Sequence, residues 1–145
     1  MPDVLSHARV GDALPRLEMP ALTRATLALY AGGSGDHLPL HIDSDFARAA
    51  GYPDEFMHGM LGAAYITRMI TEWVPQEWLR RFDVRFVAIS YPGETLTAMG
   101  TVTAVTPSGQ VEVKIELQNA DGETKISGRA TIASPSGTGR IPREK

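Results

Sequence analysis

Residues 59–73 read GMLGAAYITRMITEW, and Pro75 stops the run. Apolar side chains fall on nearly every side of a helical projection, so the segment is expected to be a helix buried by its surroundings rather than one lying on a surface. The period then changes to two. Val111, Val113, Ile115 and Leu117 alternate with Glu112, Lys114, Glu116 and Gln118, the pattern of a strand with one buried face. Residues 79–89, 94–106 and 125–133 read as further strands, separated by the turn signals Pro92-Gly93, Pro107-Ser108-Gly109 and Asp121-Gly122. Short turns predict an antiparallel meander.

Upstream, residues 23–31 (TRATLALYA) open on a threonine cap and are rich in helix formers, and Gly32, Gly33 and Gly35 are expected to end that helix. A short strand is expected before it, around residues 13–22. Asp43 or Ser44 can cap a second short helix over residues 45–50 (DFARAA), which Gly51 and Pro53 terminate. Three helical segments followed by four consecutive strands predict an α+β fold, with the apolar helix packed on one face of a curved sheet. The chain of 145 residues is the size of one domain, assigned to residues 1–134. Residues 135–145, polar and rich in glycine and proline, are expected to form a loose tail.

Composition narrows the function classes. The chain is 43% hydrophobic and 21% charged, with a formal net charge of -3 and a pI near 5.8, so it offers no broad basic field to nucleic acid or an anionic membrane. Zero cysteines exclude disulfides and thiolate metal sites, and the opening residues lack the pattern of a signal peptide, which predicts a cytoplasmic protein. The longest mainly apolar stretch, residues 57–70, is interrupted by His58 and Arg68 and is too short to cross a bilayer.

Residues 35–41 read GDHLPLH. Pro39 forbids a regular helix here and pushes Leu38 toward an extended conformation, so Asp36 and His41 belong to a loop. They converge only if that loop folds back, which the preceding glycines allow. Converged, a carboxylate and an imidazole can orient one water and take its proton, general acid-base work worth about 10² to 10⁴ in rate. On spacing alone, the reading of Asp36 as a turn cap and His41 as a satisfied polar residue at a helix start is the stronger of the two. His37 is expected to point elsewhere. No metal is expected at His37, His41 and His58, because neither a helical histidine pair nor a cysteine supports one.

The second cluster is FMHGMLGAAY, residues 56–65, where His58 and Gly59 open the apolar helix. A helix N-terminus carries unpaired N–H groups and partial positive charge, and Gly59 would let a ligand oxygen approach its N–H without a Cβ in the way. The other reading is that Gly59 serves close packing and His58 is a polar cap.

Together, residues 30–65 (YAGGSGDHLPLHIDSDFARAAGYPDEFMHGMLGAAY) and 84–105 (VRFVAISYPGETLTAMGTVTAV) resemble the MaoC-like dehydratases and (R)-specific enoyl-CoA hydratases. The resemblance runs from about residue 10 to residue 133. It implies a hotdog fold, a long helix wrapped by an antiparallel sheet, assembled as a homodimer or higher homo-oligomer or paired with another hotdog subunit. It implies that Asp36 and His41 hold a catalytic water, that the Gly59 N–H polarises a thioester carbonyl, and that His58, Met60, Leu38 and Thr67 contact the substrate. The implied reaction adds water to a trans-2-enoyl-CoA, or an acyl-carrier thioester, giving the (R)-3-hydroxyacyl thioester with no cofactor beyond the carrier. One position departs: Leu38 stands where the family pattern has asparagine. That departure keeps alive a non-catalytic subunit that shapes a partner's tunnel. A hotdog thioesterase is disfavoured, because Glu72 is the one acid between Gly59 and Val74 and lies far from the glycine. Arg80, Arg81, Arg85, Lys125 and Arg129 are all candidates for the CoA phosphates.

Overall fold

The computed structural model describes residues 4–135, so the expected tail lies, beyond Pro135 itself, outside the described residues. Helix α1 (Arg24–Ser34) is capped by Thr23, whose side chain accepts the Thr26 N–H. It runs through Gly32 and Gly33 and stops only at Gly35, where φ reaches 76°. A glycine inside a helix costs about 1 kcal/mol and is tolerated, whereas termination needs the left-handed backbone that Gly35 supplies. Helix α2 (Ser44–Ala49) is capped by Asp43, which accepts the N–H groups of Asp45 and Phe46 at 3.0 and 3.1 Å. Helix α3 (Gly59–Trp73) is the long apolar segment.

Five strands form one antiparallel sheet: β1 (Leu17–Glu18), β2 (Leu79–Phe86), β3 (Leu96–Val105), β4 (Val111–Asn119) and β5 (Thr124–Ile132), in the order β1-β3-β4-β5-β2. The expected meander holds for β3, β4 and β5. It does not hold for β2, which pairs with β5 at the far edge, so residues 87–95 cross the sheet to reach β3. Pro92-Gly93 is a turn within that crossing and closes no hairpin. The strand expected over residues 13–22 shrinks to β1 and an isolated bridge from Ala13 to Thr101. Pro15 and Pro20 remove the N–H donors that a longer ladder would need.

The core lies between α3 and the inward face of the sheet. Leu61, Ile66, Met69 and Ile70 pack with Val111, Val113, Ile115 and Leu117 of β4, whose alternation is therefore the buried face the pattern predicts. Gly62 sets the approach: a Cβ there would stand 2.7 Å from Ile126 Cδ1 and 3.0 Å from Leu117 Cδ2. In one respect α3 differs from expectation. Its opposite side, Met60, Ala64 and Arg68, is exposed, because a single five-stranded sheet covers only one flank of a helix. Among the described residues, no helix is long and apolar enough to cross a membrane.

Candidate active site

The loop after Gly35 is held by its own side chains. Asp36 N–H donates to Ser34 Oγ at 3.2 Å, and Asp36 Oδ1 accepts the Leu38 N–H at 3.2 Å, so the turn-capping reading of Asp36 is correct as far as it goes. Pro39 then starts a 3-10 turn (Pro39–His41) that buries His41. His41 Nδ1 stands 2.8 Å from Phe56 O. A carbonyl only accepts, so Nδ1 carries the proton, and Nε2 of the neutral ring keeps its lone pair.

His58 is fixed in the same manner. Its Nε2 lies 3.0 Å from Asp36 O and donates to it, leaving Nδ1 buried without a partner. His58 is therefore a link across the loop and makes no side-chain cap on α3. Burial pushes its pKa below the usual histidine value; the hydrogen bond to Asp36 O opposes that shift and the neighbouring His41 reinforces it. The rings of His41 and His58 stack with centroids 4.0 Å apart and planes at 23°.

Asp36, His41 and His58 each offer a nitrogen or oxygen atom, and the three atoms lie within 4.8 Å of one another. Two atoms at such a separation can share a water through bonds of about 2.8 Å. The histidine trio of residues 37, 41 and 58 does not assemble: His37 is exposed, with Nδ1 on Gly35 O at 3.2 Å, and Asp36 takes its place.

These groups line a cavity of about 660 Å³ that residues 86–90 also line. Gly59 opens α3, and its N–H has no acceptor among the described residues. The positive end of the helix macrodipole is therefore presented to the cavity. A Cβ on Gly59 would fall 2.9 Å from the Phe86 ring, so this glycine is also a packing requirement. The space that a Cβ would fill is taken by Phe86, not left open for a ligand.

Of the remaining expected residues, Met60 lines the cavity and is 60% exposed. Leu38 is 48% exposed and does not line it. Thr67 Oγ1 donates to Ala63 O at 2.6 Å, inside its own helix, and is likewise absent from the cavity. The structure adds Tyr30 and Ser34 of α1, Phe86 at the end of β2, the crossing residues 87–90, and Lys125 and Ile126 of β5. Sequence reasoning passed over Arg24 as well. Its guanidinium reaches Asp54 at 2.6 and 3.0 Å and Glu55 at 2.5 Å, fixing the segment that delivers Phe56 O to His41. That contact holds the Asp54 carboxyl below its usual range. Charges thirty positions apart carry no local signal. Among the phosphate candidates, Lys125 is withdrawn: its ammonium is buried against Ile89 O, Glu94 and Glu123.

Residues 8–124 match the model of the MaoC like domain. The chain belongs to the MaoC-like dehydratase family. Over 116 residues it is 28% identical to the (R)-specific enoyl-CoA hydratase of Rhodospirillum rubrum, covering 79% of this chain and 81% of that one. Over 128 residues it is 29% identical to the fatty acid synthase subunit beta of Saccharomyces cerevisiae; there it spans only 6% of the relative's length, with 86% of this chain covered. The unliganded R-hydratase PhaJ1 of Pseudomonas aeruginosa matches with a TM-score of 0.79 at 25% identity, over 90% of this chain and 84% of that one. The helix-on-sheet architecture is thus the hotdog fold of the MaoC-like hydratases.

Proposed function

We propose that the chain, as one MaoC-like domain over residues 1–134, reversibly hydrates a trans-2-enoyl thioester of CoA or an acyl carrier to the (R)-3-hydroxyacyl thioester. The observation that carries the reading is the tautomer of His41. With Nδ1–H committed to Phe56 O, the other ring nitrogen is left for a water shared with Asp36, in a cavity that Gly59 also lines. Water held by Asp36 and His41 loses a proton to the pair as its oxygen bonds to C3. Negative charge moves to the thioester oxygen, where the Gly59 N–H and the helix end stabilise it. The protonated pair then delivers a proton to C2, which completes addition of one water across the double bond. The (R) configuration is part of this proposal and is supported by the 28% identity to the (R)-specific enoyl-CoA hydratase of Rhodospirillum rubrum. The reading needs no cofactor beyond the carrier.

The thioesterase alternative lacks its acid: Glu72 is at the far end of α3, exposed and paired with Arg68 at 2.8 Å. A partner-subunit role has one supporting observation, since Leu38 brings no amide to the loop. We also propose assembly with a second hotdog chain, in the first place a copy of this one. Among the described residues the outer edge of β2 is unpaired, and Phe86, Val87 and Met60 expose apolar surface. A sharp monomer mass at micromolar concentration would exclude that assembly. Loss of the conjugated thioester absorbance on adding crotonyl-CoA or a longer 2-enoyl-CoA tests the reaction. No loss with short, medium and branched acyl chains would favour the partner-subunit role, and release of free thiol would establish hydrolysis instead.

A further inference from the structure

The second wall of the cavity, residues 86–90, belongs to no strand beyond Phe86, yet it is held through its backbone by a single residue of β5. Lys125 O accepts the N–H groups of Val87 at 2.9 Å and Ala88 at 3.2 Å, which ends β2. The ammonium of the same residue donates to Ile89 O at 2.8 Å. Three successive wall residues are thus tied to Lys125.

The ammonium is itself anchored. Lys125 has a side chain only 3% exposed, and its Nζ pairs with Glu94 at 3.0 Å and with Glu123. Glu94 also accepts Asn119 Nδ2 at 2.9 Å and the Tyr91 N–H at 2.6 Å, so the far end of the crossing is bound to the same cluster. From the other side, Met57 N–H donates to Ser90 O at 2.9 Å and joins the wall to the residue before His58. Burying an ammonium is unfavourable unless each of its donors is satisfied. Here its three donors meet three acceptors, one of them the wall itself.

The wall held in this way presents apolar side chains. Val87 is 54% and Ile89 37% exposed, and both line the cavity that Gly59 also lines. We propose that Lys125 is a specificity-determining positioning residue. By fixing Val87, Ala88 and Ile89 it sets the width of the apolar side of the cavity, and so decides which acyl chains can lie there while the thioester oxygen reaches the Gly59 N–H. The choice of substrate rests on the hydratase reading, whereas the clamp rests on the contacts alone.

Lys125→Met keeps the length of the stem and removes the ammonium. Amide exchange at Val87, Ala88 and Tyr91, whose N–H groups are held by Lys125 O and Glu94, should accelerate by about tenfold while β3 and β4 keep their protection. The ratio of kcat/KM for crotonyl-CoA against trans-2-octenoyl-CoA should move toward one by at least about threefold, chiefly through KM, a fraction of what one methylene is worth in a well-formed apolar pocket. If the parent hydrates neither thioester, the hydratase reading fails. The clamp is then read from the ratio of calorimetric Kd values for butyryl-CoA and octanoyl-CoA, which should shift in the same sense. Unchanged selectivity overturns the proposal, even with faster exchange, because Lys125 would then be only structural. Should Lys125→Met not fold, Glu123→Gln at the solvent edge of the cluster must give the same two changes at smaller amplitude, and no change there also overturns it.

Discussion

Two groups of residues line the cavity: a polar side of Asp36, His41, His58 and Gly59, and a mainly apolar side of residues 86–90. On the polar side each imidazole is fixed through one ring nitrogen by a backbone carbonyl, leaving the other nitrogen without a partner among the described residues. On the apolar side the backbone is fixed by Lys125 and the side chains stay uncommitted. One side therefore restrains orientation and leaves reactive atoms free. The other restrains position and leaves surface free. Under the proposed reaction, changes on the first side should act on kcat and changes on the second on KM and selectivity.

The largest effect tests the polar side. Asp36→Asn and His41→Ala should each lower kcat by about 10² to 10⁴. The double variant should cost little more than either, since both residues serve one water. Circular dichroism should show an unchanged fold for Asp36→Asn, which keeps an oxygen to accept the Leu38 N–H. Independent, multiplying losses would show that the residues do not share a task, and full activity in a folded Asp36→Asn variant would remove the mechanism.

Gly59 is where the two sides touch, and it gives the next largest effect. A methyl at Gly59 would meet the Phe86 ring at 2.9 Å. Phe86 ends β2 and is 54% exposed, so the ring can swing outward at a cost of about 1 to 3 kcal/mol or less. Gly59→Ala should reduce kcat/KM by about tenfold through displacement of the apolar side, with the N–H still in place. Adding Phe86→Ala should restore part of that loss. If the second substitution instead compounds it, the glycine is required by the ligand itself and the packing account is wrong.

How far the sequence could be read follows from which contacts are local. The alternation of β4 and the apolar run of α3 report burial directly, because each side chain's fate is set by its place on one face. The end of α1 was misjudged, since Gly32 and Gly33 carry the same letter as Gly35 and only backbone conformation separates them. The place of β2 was missed because pairing with β5 is settled by residues forty or more positions away. Asp36 and His41 were legible as a motif. The stack of His41 on His58 was not, nor was Lys125, because a lysine on a strand is ordinarily solvated and its burial depends on Glu94, Glu123 and Ile89 O together.

A smaller effect concerns stability and pH. His58 is held neutral in the fold by burial, with its pKa below the usual value near 6.5. Its contribution is therefore complete above that value and is lost as pH falls through it, because the unfolded chain takes up a proton that the folded chain refuses. The loss from this single group is at most about 1.4 kcal/mol per pH unit. Glu94 opens a separate and lower window. Against the upward push of burial, hydrogen bonds from Asn119, the Tyr91 N–H and Lys125 keep its pKa below the usual 4.5, so its contribution fades only as pH drops beneath that value. Denaturant midpoints compared at pH 7.5 and 5.5 should fall in the parent and fall less in His58→Gln, whose amide can still donate to Asp36 O. Equal slopes in the two proteins would mean that His58 is not the group responsible.

The smallest effect distinguishes neighbours on the polar side. His37 directly follows Asp36, but its ring is exposed and its Nδ1 reaches back to Gly35 O at 3.2 Å, outside the cavity. A single exposed hydrogen bond contributes about 0.5 to 1.5 kcal/mol to stability at most. His37→Ala should therefore leave kcat within about threefold of the parent, far from the loss expected of a general base. Its pH–rate profile should also keep the parent's shape, since the group removed does not face the reacting water. A loss comparable with that of His41→Ala would mean that the loop closes differently when substrate is bound and brings His37 inward. The polar side would then owe its chemistry to a rearrangement, and the contrast with the clamped apolar side would narrow to how firmly each is held.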